Sequence, residues 1–412
     1  MRQRHDTHWR SAVRRLAAAR LISITGGAAA YTALMYTVYE RTESATWLSL
    51  TLFLTFGVAG IFAPLGGVLG DRFDRKTVMV VSDLAGAACF GAMAFLDDPG
   101  WLLGAAFLSA IAEQPFWSAS AAAIPNLVDE DHLSWANGLV ALGKNMGIMV
   151  GPALGGVLVG AIGPGWVFGL NGVSFVVSAL LVWSVRARFQ GSREGAFEHE
   201  GLRAGFAFLA RDRVLRTIVF AWTALVLGMG FVMVADVPLV EHFDAGSLGY
   251  GLLIGTWGAG SVLGSLAGRR LTEEKEPRAL FLGMSLIALS TGAIAVSPWF
   301  APILVMSLAS GFGDAITMVA EQGIQQRRTP DAVRSRVVSA AEAIITVAFA
   351  ASLAGAGPVL EALGPQSVYA IGGATALVGS AVLLPVLRSD HRRSAERSRE
   401  LSAETMMQVE LG

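Results

Sequence analysis

The sequence predicts an all-α membrane protein of about twelve transmembrane helices, arranged as two pseudo-symmetric six-helix bundles. Three observations lead there. Hydrophobic residues make up 53% of the 412 and charged residues only 15%, where a soluble chain of this size carries roughly a quarter. The charges are also clustered, leaving apolar stretches of the ~20 residues a helix needs to cross the hydrocarbon core. Finally, the second half echoes the first. GAIGPGWVFGLNG at 160–172 aligns with EALGPQSVYAIGG at 361–373, an offset of 201, and GGVLGDR at 66–72 aligns with GSLAGRR at 264–270, an offset of 198. A same-sense repeat near 200 residues is a parallel duplication about an axis along the membrane normal, the geometry in which two halves rock around a central site.

The apolar stretches run, in order, 18–39, 46–69, 77–96, 100–123, 138–162 and 166–187, then 214–240, 249–268, 278–297, 300–324, 337–359 and 367–388. Backbone polar groups in lipid must be satisfied within their own segment, so these spans are helices, not strands. The basic N-terminal residues are followed by no small-residue cleavage site, and the first stretch is expected to be a retained helix. The even count puts both chain ends on one side. The resulting division is an N-terminal bundle over 1–188, a cytoplasmic linker over 189–213, a C-terminal bundle over 214–388 and a charged cytoplasmic tail over 389–412. The end of the linker reads as a short surface helix, with Phe206 and Leu209 toward lipid headgroups and Arg203, Arg211 and Arg213 toward water.

Of the 31 Lys and Arg residues, 29 fall in segments that this topology gathers on one face, with Arg41 opposite and Lys144 inside the fifth span. Positive charge marks the cytoplasmic face. The expected location is therefore the cell (inner or plasma) membrane, crossed many times, with both termini in the cytoplasm. A net charge of -1 gives no footprint for nucleic acid. The single cysteine, Cys89, excludes an internal disulfide, and no histidine lies within a span. Glu198-His199-Glu200 sits in the polar linker and reads as solvated rather than metal-binding. No cofactor and no metal is expected. The segment from Gly138 to Asn145 is one residue short of a nucleotide-binding loop and runs straight into a membrane helix. No nucleotide-driven engine is read from it.

Gly67, Gly70, Asp71, Arg72, Asp74, Arg75 and Lys76 crowd the turn between the second and third spans. Glycines let two helix ends pack closely, and an acid among bases can exchange partners between conformations; anchoring by positive charge at a tight turn is the alternative. The fifth span carries Gly138, Gly147, Gly151, Pro152, Gly155 and Gly156. Gly143, Gly147, Gly151 and Gly155 recur every four residues and form a smooth stripe down one face. Pro152 frees a backbone carbonyl. Generic close packing is the alternative here.

Both segments resemble motifs of the major facilitator superfamily. The turn resembles its motif A, matched at Gly67, Leu69, Asp71, Arg72, Arg75 and Lys76, with Asp74 where the motif usually has glycine. The DRFDR turn followed by Asp83 resembles the drug:proton antiporter branch. The fifth span resembles motif C, which in the family is associated with antiporters. The loops at 124–138 and 327–337 are similar to those of macrolide- and siderophore-type efflux members, and the resemblance extends over residues 16 to 388. It implies the facilitator fold and a monomer. It also implies an inner gate at which Asp71 meets the start of the eleventh span near Val337, where a helix dipole favours negative charge. Asp83 is expected to partner the motif-A bases. One departure stands out: residues 100–123 contain no arginine, whereas many proton-coupled members carry one in the fourth helix as motif B.

Ionisable residues inside spans are costly and are functional candidates for that reason. Glu113 and Asp314 lie near the middle of the fourth and tenth spans, separated by the repeat offset of 201. The resemblance implies that the first, fourth, seventh and tenth helices line the cavity. Glu113 with Gln114, Phe116 and Trp117 then reads as a polar, aromatic wall suited to an amphipathic or cationic substrate. A carboxyl group there is suited to take up and release protons during transport; a structural hydrogen bond between helices is the alternative, for Asp314 as well. Asp236, in the outer third of the seventh span, is a cavity candidate or an interfacial residue. Lys144 is a further candidate that can instead snorkel to the surface. Glu321 and Glu342 are expected to pair with Arg327, Arg334 or Arg336.

These readings imply a secondary active transporter, not an enzyme, since no nucleophile or metal cluster converges near the interface. It would export a small amphipathic compound (a drug, antibiotic or natural product) by proton antiport with alternating access. Its partners would be that small molecule, protons and membrane lipid. Lysophospholipid flipping or solute uptake by the same fold, and a non-transporting membrane sensor, stay open at this point.

Overall fold

Helices follow the apolar stretches, and local capping chemistry sets their ends. The computed structural model describes residues 2–58, 62, 68–69, 72–185, 189 and 201–385. The first half comprises α1 (Arg2–Thr42), α2 (Ala45–Leu52, continuing as a wider π-helical turn over Phe53–Val58), α3 (Arg75–Met93), α4 (Pro99–Leu127), α5 (Glu130–Ile162) and α6 (Pro164–Trp183). A short helix, α7 (Gly201–Arg211), precedes the second half: α8 (Arg213–His242), α9 (Gly246–Gly268), α10 (Glu276–Ile294), α11 (Phe300–Arg328), α12 (Asp331–Leu363) and α13 (Pro365–Val382). No strand occurs among the described residues. The charged tail beyond residue 388 and the linker over 190–200 lie outside them.

The repeat is visible in the elements themselves. Helices α3 and α10 are both 19 residues long, α4 and α11 both 29, and α5 and α12 both 33. In these three pairs the start in the second half is displaced from its counterpart by 201 residues. Both long helices end on a glycine of positive φ, Gly163 at 85° and Gly364 at 76°. Side chains rarely tolerate that backbone, and a proline then opens the next helix, where its missing amide costs nothing. Elsewhere aspartates start the helices: Asp74 accepts from the Thr77 amide, Asp98 from that of Trp101, and Asp212 from those of Val214 and Leu215.

Nine of the described helices are long and apolar enough to cross a membrane, from Trp9–Thr42 to Arg336–Leu363, and Ala45–Val58 is a shorter apolar helix. Trp101, Trp166, Trp183 and Trp299 stand exposed at helix ends, where indole rings sit at the membrane–water boundary. In lipid there is no hydrophobic drive between helices, so close contact rests on small residues. Within the first half α1 packs on α5 and α6, and α3 on α4 and α6; within the second, α8 packs on α12 and α13, α10 on α11 and α13, and α9 on α11. The halves meet through α5 against α9 and α2 against α12.

Two expectations are corrected here. The first helix does not begin near residue 18: the basic N-terminal segment continues it, because arginine favours helix although it ends a hydropathy window. Arg15 on this extension donates to the Ser184 carbonyl at 2.8 Å, tying it to the end of α6. In α7, Leu209 does not face headgroups; it is buried against Val337, Ala340 and Ala341 of α12, while Phe206 stays exposed.

Candidate functional site

A cavity of about 350 Å³ opens inside the second half, between α8, α9, α10, α11 and α13, and is closed by Tyr31 of α1 and Phe349 of α12. Its walls are mainly apolar, and the exceptions are few. Asp236, on α8, is 7% exposed and accepts a hydrogen bond from the Tyr369 hydroxyl of α13 at 2.5 Å. Tyr250 of α9 is buried beside it. The Tyr31 hydroxyl is buried beside Tyr250 and the same Asp236. Tyr31 is held in place by edge-to-face contact with Phe56, at 5.3 Å between ring centroids. Asp314 of α11 lines the same space with Ser310, one turn earlier. Neither aspartate forms an ion pair among the described residues.

Of the candidates read from the sequence, Asp236 and Asp314 therefore meet in one cavity. The others stand elsewhere. Glu113 occupies the midpoint of α4 as Asp314 does of α11, and accepts from the Ser109 hydroxyl at 3.1 Å. The spacing Ser109–Glu113 repeats as Ser310–Asp314 at the offset of 201. Gln114 donates to the Ala110 carbonyl of its own helix at 3.2 Å. Trp117 packs edge-on to Phe116, with the Arg20 guanidinium 5.5 Å over its ring. Lys144 is exposed on α5 and does not line the cavity.

Residues at the motif-A turn split into two groups. Gly67 and Asp71 lie outside the described residues. Arg72 is exposed; Lys76 donates to the Val185 carbonyl at 2.8 Å and Arg75 to that of Phe189 at 3.3 Å, so both bases engage the chain end that follows α6. The departure at Asp74 has a local reason, since its side chain caps α3 at 2.9 Å from the Thr77 amide. Asp83 is not a partner of these bases. It is 1% exposed and sits against Ser178 of α6. Nor, among the described residues, does Glu321 pair with an arginine: its neighbours are Trp222, Glu342 and Asp314, while Arg327 bonds Glu276 and Arg328 bonds Asp212.

The motif-C glycines serve two partners. A Cβ on Gly147, Gly151 or Gly155 would lie within 2.5–2.7 Å of α1 atoms at Ile24, Ala28 or Ala29. On the other side, Gly156 meets Ser247 and Gly251 of α9, and the Pro152 carbonyl lies 2.6 Å from where a Gly251 Cβ would be. Gly138 has open space in front of it. Sequence reading missed Tyr31, Tyr250, Tyr369 and Arg20. A signal existed for the tyrosines, since a mid-span tyrosine has no water for its hydroxyl and must find a polar partner inside the bundle.

Comparisons with known proteins agree with this architecture. Enterobactin exporter EntS of Escherichia coli O9:H4 (strain HS) is 26% identical over 387 residues, covering 91% of this chain and 92% of that protein. The protein of the same name from Shigella boydii serotype 18 is 26% identical over 328 residues, covering 77% of this chain and 78% of its own. Among solved structures, the nucleoside transporter NupG superposes with a TM-score of 0.72 at 13% identity, covering 91% of this chain and 99% of that one. A bacterial homologue of the iron transporter ferroportin, in an inward-facing state, also gives 0.72, at 16% identity over 91% of this chain and 98% of that one. The model of the Major Facilitator Superfamily matches residues 16–273 and 229–407, and the chain belongs to that family of transporters.

Proposed function

We propose that this protein is a secondary active exporter that moves a small amphipathic natural product, of the siderophore kind carried by its EntS relatives, out of the cell in exchange for protons. The observation that carries the reading is the pair of carboxylates, Asp236 and Asp314, in an apolar cavity where neither has a cation to balance it. A carboxyl group so placed binds a proton or a substrate hydroxyl in turn, and the two occupancies compete. Tyr369 keeps Asp236 aimed, and the mobile junction lies between the bundles of residues 1–188 and 214–388, joined by the linker at 189–213. With the basic face in the cytoplasm, both termini are cytoplasmic and the monomer is the working unit.

The test is transport by purified protein in liposomes of known orientation, screening catecholate and other natural products and dyes with and without an imposed pH gradient. Export that accelerates when the outside is acidified supports the reading. Flux indifferent to the gradient removes proton antiport, and accumulation in the opposite direction makes the protein an uptake carrier. Asp236→Asn and Glu113→Gln should each lose gradient-driven export while membrane insertion persists. Unaltered export by Glu113→Gln takes Glu113 out of the mechanism.

A further inference from the structure

Arg20 was counted from the sequence among the basic residues at the membrane face, but it is only 9% exposed. Its Nε donates to the Ser120 hydroxyl of α4 at 2.8 Å, and its guanidinium lies 5.5 Å over the Trp117 ring. Among the described residues no carboxylate pairs with it, and its two terminal amino groups make no hydrogen bond to the protein. Glu113, on the same face of α4 two turns from Ser120, is held by Ser109 instead. A buried guanidinium held by one neutral hydroxyl and one ring is costly unless an anion completes it.

The position on α1 points the same way. At 100° per residue, Arg20, Gly27 and Tyr31 fall on one face of the helix within about 40°. Tyr31 lines the cavity, and Gly27 has open space in front of it. Arg20 thus lies on the face of α1 from which Tyr31 reaches the cavity, about 16 Å along the axis from Tyr31 and beyond the cavity's lining. A substrate spanning this distance keeps an anionic group well clear of Asp236.

Resting on the export reading above, we propose that Arg20 binds the acidic group of the exported compound, with Trp117 stacking beside it, so that the substrate class is organic anions with an aromatic ring. The planar fork of guanidinium donors suits a carboxylate or catecholate. Trp117 then serves an anion and not the cationic substrate that an isolated indole would suggest, because Arg20 already occupies the ring face.

Two isosteric probes test this: 2-naphthoate and its neutral amide, 2-naphthamide, bound to the full-length protein in detergent and followed by calorimetry. The wild type should bind naphthoate about tenfold more tightly or better. Arg20→Gln should bring the two dissociation constants within about twofold by weakening only naphthoate, and Arg20→Lys should keep a preference of at least threefold. A purely structural Arg20 would lower both affinities together, and that outcome overturns the assignment. So does equal binding of the two probes by the wild type, or binding of neither at millimolar concentration. The measurement involves no flux, so failed export in liposomes sinks the export reading while a lost naphthoate preference bears on Arg20 alone. If Arg20→Gln does not fold, the wild-type ratio together with Arg20→Lys decides.

Discussion

Among the described residues Tyr369 supplies the single hydrogen bond on Asp236, and the pair spans α13 and α8. Removing the donor strands a buried carboxyl group, which costs about 1–3 kcal/mol. Tyr369→Phe should therefore lower stability by that amount in chemical unfolding, whereas Asp236→Asn, which still accepts the bond, should cost less and yet lose proton-driven transport. Equal stability losses in the two variants would leave the bond without its assigned weight. Asp212 offers a test outside the membrane. Burial pushes its carboxyl up, but the Leu215 amide, the Arg328 guanidinium and the Val214 amide outweigh it and hold the group below the ordinary carboxylate range. A depressed folded value means that the stabilisation is complete above the unfolded pKa of about 4 and fades as pH falls through the lower folded value. Asp212→Ala should cost about 1 kcal/mol at neutral pH, and the gap from wild type should close on acidification below about pH 4. Asp212→Asn should keep the cap but lose the 3.1 Å pair with Arg328. At this scale the sequence exposed Asp236 and Asp314 because a charge inside an apolar span stands out. It hid Arg20, which merges into a basic segment, and the tyrosines, whose partners are set by folding: Tyr369 lies 133 residues from Asp236.

Helix α5 carries its glycines on two faces, and substitutions should separate their tasks. At Gly155 a Cβ would lie 2.5 Å from the Ala29 carbonyl oxygen and 2.7 Å from its Cα, so α1 and α5 must part to admit it. Overpacking of this kind costs about 1–3 kcal/mol, and Gly155→Ala should lower the thermal midpoint accordingly. Gly156 faces α9 across the junction of the halves. Gly156→Ala should cost stability as well, because its Cβ would press on the Ser247 carbonyl oxygen, and it should in addition impair transport by wedging the junction of the halves. Gly138 meets nothing within 4 Å, and Gly138→Ala should be neutral or stabilising by up to about 1 kcal/mol. If Gly155→Ala melts like Gly138→Ala, the stripe is not a close-packed seam. The four-residue spacing was legible because it is a property of one helix. Which neighbour each face meets was not, since that depends on how α1 and α9 flank α5. The boundaries of α1 and the docking of α7 escaped for a similar reason: hydropathy registers lipid exposure, while Leu209 is covered by protein.

At the scale of the whole molecule, the described residues of the two halves hold each other at the end away from α7. Glu361 accepts from the Ser44 and Thr46 hydroxyls at 3.0 Å each and from the Thr46 amide at 3.1 Å. Ser49 donates to the Leu353 carbonyl, and Gly357 lets α12 settle on α2. The duplication announced two halves and a site central to both, whereas the cavity lies inside the second half with Tyr31 alone reaching it from the first; nor could it announce where the halves touch, because that rests on pairs as far apart as the 317 residues between Ser44 and Glu361. Alternating access requires these contacts to open once per cycle. A Cβ at Gly357 would stand 3.1 Å from that of Ser49 and 2.7 Å from the Thr46 Cα, so α12 must ease away from α2 by a few tenths of an ångström, which brings the two Cβ atoms toward the ~3.8 Å that a disulfide spans. In a background with Cys89→Ala, which removes the one native thiol, Ser49→Cys combined with Gly357→Cys should cross-link on mild oxidation. The bond should reduce export in liposomes to background, and dithiothreitol should restore it, while the activity of each single variant should not change on oxidation. Full cross-linking with undiminished export would mean that α2 and α12 never separate here, and the path out of the cavity would have to run elsewhere.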